Sequence, residues 1–400
     1  MINRPNRYRI FALFTFILIA EIASAQSNLG GSRISMFLIA GLVVLLIVFA
    51  VLSLSENLMQ VEAKRMGANT DKNNVSIAPK ISELFGSSSP EYTANQPVHK
   101  LSKGHNIKLV GSAKKEIDAS TRIKTFAVKP VNFRGLSPIP RVLVAVGDEV
   151  KAGDPIFEDK KDDRVKYVSP VSGEVAEIRK GAKRSITDVV ILGDSEVAYK
   201  THDIPALEGS SRENIVQFML SAGVWTLLNE RPYDVLPDPE IIPANIFIST
   251  FETGPLAPDL SFIANGKGEA IQKGVDVLST LTSGHVHIGL DASSANAPAT
   301  EFTSIQNAKL NWFNGKHPAG NVGVQIHHTA PIASSAKVWT LTVQSLITIG
   351  ELFLTGQFRA DRIIALTGSE FQNPTYVKTC LLYTSPSPRD QRGSRMPSSA

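Results

Sequence analysis

The sequence has 400 residues, 41 Lys+Arg against 37 Asp+Glu, 43% hydrophobic residues and one cysteine. That hydrophobic content excludes a disordered protein, and one cysteine excludes a disulfide framework or a cysteine-ligated zinc or iron–sulfur site within the chain. The excess of +4 lies at the two ends, Arg4, Arg7 and Arg9 against Glu21 and Arg389, Arg392 and Arg395 against Asp390, so the near-neutral middle gives no support for a nucleic-acid partner.

The length allows two or three domains. The first 25 residues have a basic start, the apolar run Ile10–Ala20 and Ala23-Ser24-Ala25, the pattern of a signal peptide or a first span. Met36–Leu54 then carries no charge over 19 residues, about 28 Å of helix against a hydrocarbon core of about 30 Å, and predicts a transmembrane helix over 34–54. Lys64, Arg65, Lys72 and Lys80 follow it while Arg33 alone precedes it, which places residues 55 onward in the cytoplasm. The expected location is the cell inner membrane, with a single-pass or hairpin anchor and a cytoplasmic globular part. The stretch 67–97, rich in Asn, Ser and Pro, reads as a linker.

From His99 the pattern predicts short strands, placing a first globular domain at 98–200. Lys100–Val110 alternates weakly, Val142–Val146 is a strand, and Gly147-Asp148 and Gly153-Asp154-Pro155 are turns. Val165–Val168 and Val175–Ile178 flank the break at Ser169-Pro170. The run from Val144 to Val175, with its Gly-Asp turns and Ser-Pro-Val-Ser-Gly-Glu, resembles biotinyl and lipoyl carrier domains, which have the barrel-sandwich hybrid fold. A carrier needs a modified lysine on an exposed hairpin. Lys160 and Lys161 are the candidates, but the mixed charges of Lys160–Arg164 read instead as a solvated loop. The basic turn Arg179–Arg184 can bind phosphate or a lipid headgroup, or serve as a charged edge that blocks sheet aggregation.

Helices and strands alternate over 201–379, which predicts an α/β, Rossmann-like domain. Ser211 caps a helix over Ile215–Leu220, Asn245–Ser249 is a strand, and Asn265-Gly266 signals a hairpin. Val275–Leu281 is a helix, His285–Leu290 a strand, Val338–Val343 a strand, Ser345–Leu354 a helix closed by Gly356, and Arg362–Leu366 a strand. Neither G-x-G-x-x-G nor a P-loop is present, so the fold alone gives no warrant for a bound nucleotide.

The loop Asn314–His328 holds three glycines and a proline, so its backbone can approach a flat ligand closely. His317 is placed either to bond a quinone carbonyl or to satisfy a structural turn. His285 with His287, and His327 with His328, lack acidic or cysteine partners at ligand spacing, so no metal site is expected. No catalytic residue is assigned, because a Ser–His–Asp reading finds no nucleophile elbow. The tail 380–400 back-translates to the two ends of a transposase adapter used in DNA sequencing libraries, in the correct order. It is read as an artefact, which would make Cys380 foreign and leave the natural chain running on past Thr379.

Taken together, several stretches resemble the A-subunit family of the sodium-translocating NADH:quinone oxidoreductase. They are Lys103–Leu109, Phe157–Lys160, Val168–Gly173, Arg179–Arg184, Glu230–Tyr233, Gly315–Gln325 and Leu352–Gly356. The resemblance implies a multi-domain α+β chain on the cytoplasmic side of a membrane complex. In that complex flavins and iron–sulfur centres of other subunits carry electrons from NADH to quinone while sodium is exported. It implies no covalently bound cofactor in this subunit, with the other subunits, the membrane and quinone as partners. His317, Pro318, Gly320, Gly323 and His327 are the candidates for a quinone or subunit contact. The departure is the N-terminal span, since the usual member starts near Lys100. Two other readings stay open: a lipoyl or biotin carrier, and the related electron-transport subunit whose iron–sulfur motifs would lie further downstream.

Overall fold

The computed structural model describes residues 33–65, 90–93, 96–118, 124–134, 136, 139–333 and 336–380. They fall into two compact units, Met1–Gly86 and Ser87–Ala400. The expected signal or first span at 1–25, most of the linker and residues 381–400 lie outside the described residues.

In the first unit, α1 (Arg33–Arg65) contains the apolar run and continues well past it, about 50 Å in all. Val43, Val44, Leu45, Ile47, Val48, Phe49 and Val51 are each about half exposed or more, so its apolar residues are not confined to one face. The membrane span expected at 34–54 needs correction, however. Among the described residues no helix is long and apolar enough to cross a membrane.

The second unit begins earlier than the linker reading implies. The chain is already docked at Tyr92, whose hydroxyl donates to Ser294 O at 2.9 Å and whose ring meets Trp312. Strand β1 (Val98–Leu101) is followed by irregular chain and then β2 (Lys114–Asp118). Neither belongs to the barrel, and the strand expected over Lys100–Val110 shrinks to β1. The barrel strands are β3 (Thr125–Val128), β4 (Arg141–Val142), β5 (Glu149–Val150), β6 (Pro155–Glu158), β7 (Lys166–Val168), β8 (Gly173–Lys180) and β9 (Ile186–Gly193). They form two antiparallel sheets, β3-β9-β8-β5 and β4-β6-β7. Between them lie Ile156, Val175, Val189 and Ile191, with Phe133 edge-on to Phe157 and Tyr167 at 5.4 and 4.5 Å.

The α/β part follows as α2 (Arg212–Ser221), β10 (Asn229–Arg231), β11 (Asn245–Ser249), α3 (Leu260–Ala264), α4 (Gly268–Leu281), β12 (Val286–Asp291), α5 (Thr300–Thr303), β13 (Lys309–Gly315), α6 (Val322–Thr329), β14 (Val338–Thr340) and α7 (Val343–Thr355). The sheet order is β1-β13-β12-β11-β14-β10; all neighbours are parallel except β10 with β14. Ser211 caps α2 by accepting from Asn214 N, as expected. The hairpin expected at Asn265-Gly266 is instead the junction of α3 and α4: Asp259 caps α3 from the other side, and neither neighbour is a strand. The last strands, β15 (Asp361–Leu366) and β16 (Thr375–Cys380), leave the main sheet and pair with each other and with β2.

The hydrophobic core runs from the barrel (Val168, Val175, Ile191) through Met219 and Trp225 to Ile248, Leu278 and Leu352 without a break. The two lobes therefore share one interior. On the opposite sheet face, Phe247, Ile326 and Val338 form a small separate cluster beneath α6.

Candidate functional site

In an open parallel sheet, ligands sit beyond the carboxyl ends of the strands, where the strand order reverses. Here β12 and β13 follow β11 to one side, while β14 returns on its other side. The loops after β11, β13 and β1 converge at that end, and they carry the chemistry that the sequence singles out.

His317 stands in the loop after β13, followed by a cis peptide bond to Pro318. Its backbone is held from β1's side: His317 N donates to Asn106 Oδ1 at 2.8 Å, and His105 N donates to His317 O at 2.9 Å. Its ring is held from β11's side, with Nδ1 3.1 Å from Thr253 Oγ1. That hydroxyl already accepts from Gly320 N at 3.0 Å, so its proton is available to Nδ1. In that arrangement Nε2 carries the ring proton and is the donor left for a ligand.

The loop's other end is fixed by Ser249, which donates to Gly320 O at 2.9 Å, and by the buried Gln325, which donates to Ser249 Oγ and Ala319 O at 2.9 and 3.2 Å. Glu252 has an exposed side chain, yet the protein around its carboxyl raises its pKa above the usual carboxylate range, an effect that the charge of His317 opposes.

The two site glycines differ. A Cβ on Gly320 would come within 2.7 Å of Thr253 N and 2.9 Å of Phe251 O, so this glycine admits the protein's own backbone. A Cβ on Gly323, in the first turn of α6, meets nothing within 4 Å. His317, Pro318 and Gly320 thus share one loop and Gly323 opens the next helix. His327 lies one helical turn beyond Gly323 on the same face, in the last turn of α6, and no described contact joins it to His317. Asn106, Ser249, Glu252, Thr253 and Gln325 were not singled out by sequence. Only Gln325 gave a signal, as an amide among Val322, Val324 and Ile326.

His287 has a structural setting. It is buried on β12, stacked on Phe247 at 4.4 Å, with Nε2 3.2 Å from Asn245 Oδ1 and Nδ1 3.2 Å from Asn311 Nδ2. Burial pushes it down to about 4, so it is neutral near pH 7. Lys160 and Lys161 are exposed in the β6–β7 loop. That loop is pinned, because Arg164 binds both Asp162 (2.8 Å) and Glu240 (2.6 Å). Cys380 ends β16 opposite Asp361, and burial pushes its thiol up to about 12.

Comparison with known proteins gives these residues a context. The family described as NqrA N-terminal barrel-sandwich hybrid domain matches residues 99–194, and that described as NqrA second alpha/beta domain matches 210–358. The A subunit of the Na(+)-translocating NADH-quinone reductase of Saccharophagus degradans is 34% identical over 284 residues, 70% of this chain and 62% of its own length. Its counterpart in Cellvibrio japonicus is 35% identical over the same extent, with the same two shares. That of Vibrio vulnificus strain YJ016 is 35% identical over 283 residues, again 70% and 62%. The chain therefore spans about 62% of the length of these curated relatives. Both lobes, in order, carry the family's domains: this chain belongs to the NqrA family.

Proposed function

We propose that the chain acts as a subunit of a sodium-translocating NADH:quinone reductase. In this reading it is a scaffold without a redox centre of its own, on the cytoplasmic side, and electrons pass from NADH to quinone through flavins and iron–sulfur centres of other subunits. The relatives' names support the complex. Within this chain the observation that carries the contact is the His317 loop. Its backbone is fixed by Asn106 and His105 and its ring by Thr253, and with Nδ1 accepting from Thr253 the other ring nitrogen, Nε2, carries the proton that suits a quinone carbonyl. The exposed apolar residues of α1 support attachment to lipid.

The test is complementation of a bacterium that lacks its own NqrA. His317→Leu should lower NADH-driven quinone reduction by roughly ten-fold, the worth of one hydrogen bond. NADH oxidation with an artificial acceptor should hold, and the complex should still assemble. Unchanged quinone reduction would remove His317 from quinone contact, and failure of the wild type to restore sodium export would remove the complex assignment. A cofactor mass on Lys160 or Lys161 in protein from its host would favour the carrier reading instead; the pinned β6–β7 loop weighs against it.

A further inference from the structure

The hairpin joining β8 to β9 carries Arg179, Lys180, Lys183 and Arg184 within six residues, and residues 179–184 are all exposed. Arg179 is paired with Glu177 at 2.8 Å; among the described residues no acid pairs with Lys180, Lys183 or Arg184. The middle of the chain has almost no net charge, so three uncompensated cations at one tip form a local patch.

The backbone adds a second observation. Lys183 (φ 54°, ψ 32°) and Arg184 (φ 62°) both adopt left-handed conformations. Asn or Gly would hold these positions with less strain, and hairpin tips ordinarily use them. Blocking edge-to-edge pairing needs a charge somewhere on the edge, but not at two strained positions in succession. Gly181 N to Ser185 O (2.8 Å) and Ser185 N to Ala182 O (3.1 Å) close the turn beneath them.

We propose that this tip docks on the phosphate-bearing headgroups of an anionic lipid surface. A projecting turn has no walls to enclose a small soluble anion, whereas it meets a charged plane with all three cations at once. Each such residue near an anionic surface contributes on the order of five-fold to partitioning, so three give roughly 100-fold at low salt.

The test uses the full chain sedimented with phosphatidylcholine vesicles, with or without phosphatidylglycerol; the difference isolates the anionic contribution from any apolar binding. The wild type should gain on phosphatidylglycerol and lose the gain in high salt. The triple variant Lys180→Gln, Lys183→Gly, Arg184→Gly should lose roughly 100-fold of it while melting no lower, since glycine relieves both left-handed positions. Lys180→Gln alone, outside the strained residues, should lose about five-fold. The proposal is overturned if the wild type shows no gain, if the triple variant keeps it, or if millimolar inorganic phosphate displaces the protein from vesicles in buffers of matched ionic strength, which would mark a free-phosphate site.

Discussion

Gly320 and Gly323 stand three residues apart, and the sequence offers no way to rank them. Gly320 does not have a left-handed backbone; its Cβ is excluded by Thr253 N and Phe251 O. Valine there should lower stability by on the order of 2 kcal/mol through overpacking, visible as a fall in melting temperature that accompanies any loss of activity. Gly323 has open space, so leucine there should leave melting unchanged or raised, by up to about 1 kcal/mol for glycine replaced within a helix. Lost quinone reduction in that variant would place a contact at the head of α6; retained activity would remove Gly323 from the site. His287 makes a prediction of another kind. Its folded value of about 4 lies below the unperturbed ~6.5, so the unfolded chain takes up the proton first as pH falls. Its contribution is complete above about pH 6.5 and declines between there and pH 4 by up to about 1.4 kcal/mol per unit. His287→Gln, which cannot titrate, should lose less melting temperature between neutral pH and pH 5 than the wild type; equal slopes would refute the assignment.

At the scale of elements, α7 shows what a sequence can specify. Thr342 accepts from Ser345 N at the start, Gly356 (φ 70°) closes the end, and the apolar face between them is buried. Each signal is local, yet Thr342 reads in the sequence as part of a strand over Val338–Val343; that strand ends at Thr340 and the helix starts at Val343, two residues before the expected Ser345. Thr342→Ala should cost about 1 kcal/mol, read as a shift in the denaturant midpoint with unchanged slope. Signals fail where partners are remote in the chain. Val98–Leu101 reads as the opening of the barrel, yet it pairs with Lys309–Gly315 some two hundred residues on. Asn265-Gly266 has hairpin chemistry but lies between two helices, because Asp259 begins the first of them. For the same reason the His317 loop was legible from its glycines and proline, while Ser249 and Thr253, which hold it, come from another strand's end and leave no mark in sequence, and Asn106 was legible only as part of the Lys103–Leu109 stretch.

The whole molecule divides between α1 and a unit from Ser87 onward whose core crosses both lobes. A continuous interior makes the lobes depend on one another: Gly223 abuts Val168 so closely that a Cβ would lie 2.7 Å from both its methyl groups. Arg164 ties the β6–β7 loop to Glu240 on the far side of α2 in sequence. Such a unit should unfold in one transition, with barrel and sheet melting together. No described residue of that unit depends on α1 for its secondary structure, so a chain beginning at Ser87 should retain the full-length melting temperature. The same truncation should lose that part of binding to neutral phosphatidylcholine vesicles that α1's exposed apolar residues supply, while keeping the phosphatidylglycerol gain that belongs to the β8–β9 tip. The two readouts separate the two contributions. If the truncated chain melts well below the full length, residues before Ser87 stabilise the fold; if it binds neutral vesicles as well as the full chain does, α1 is not the attachment.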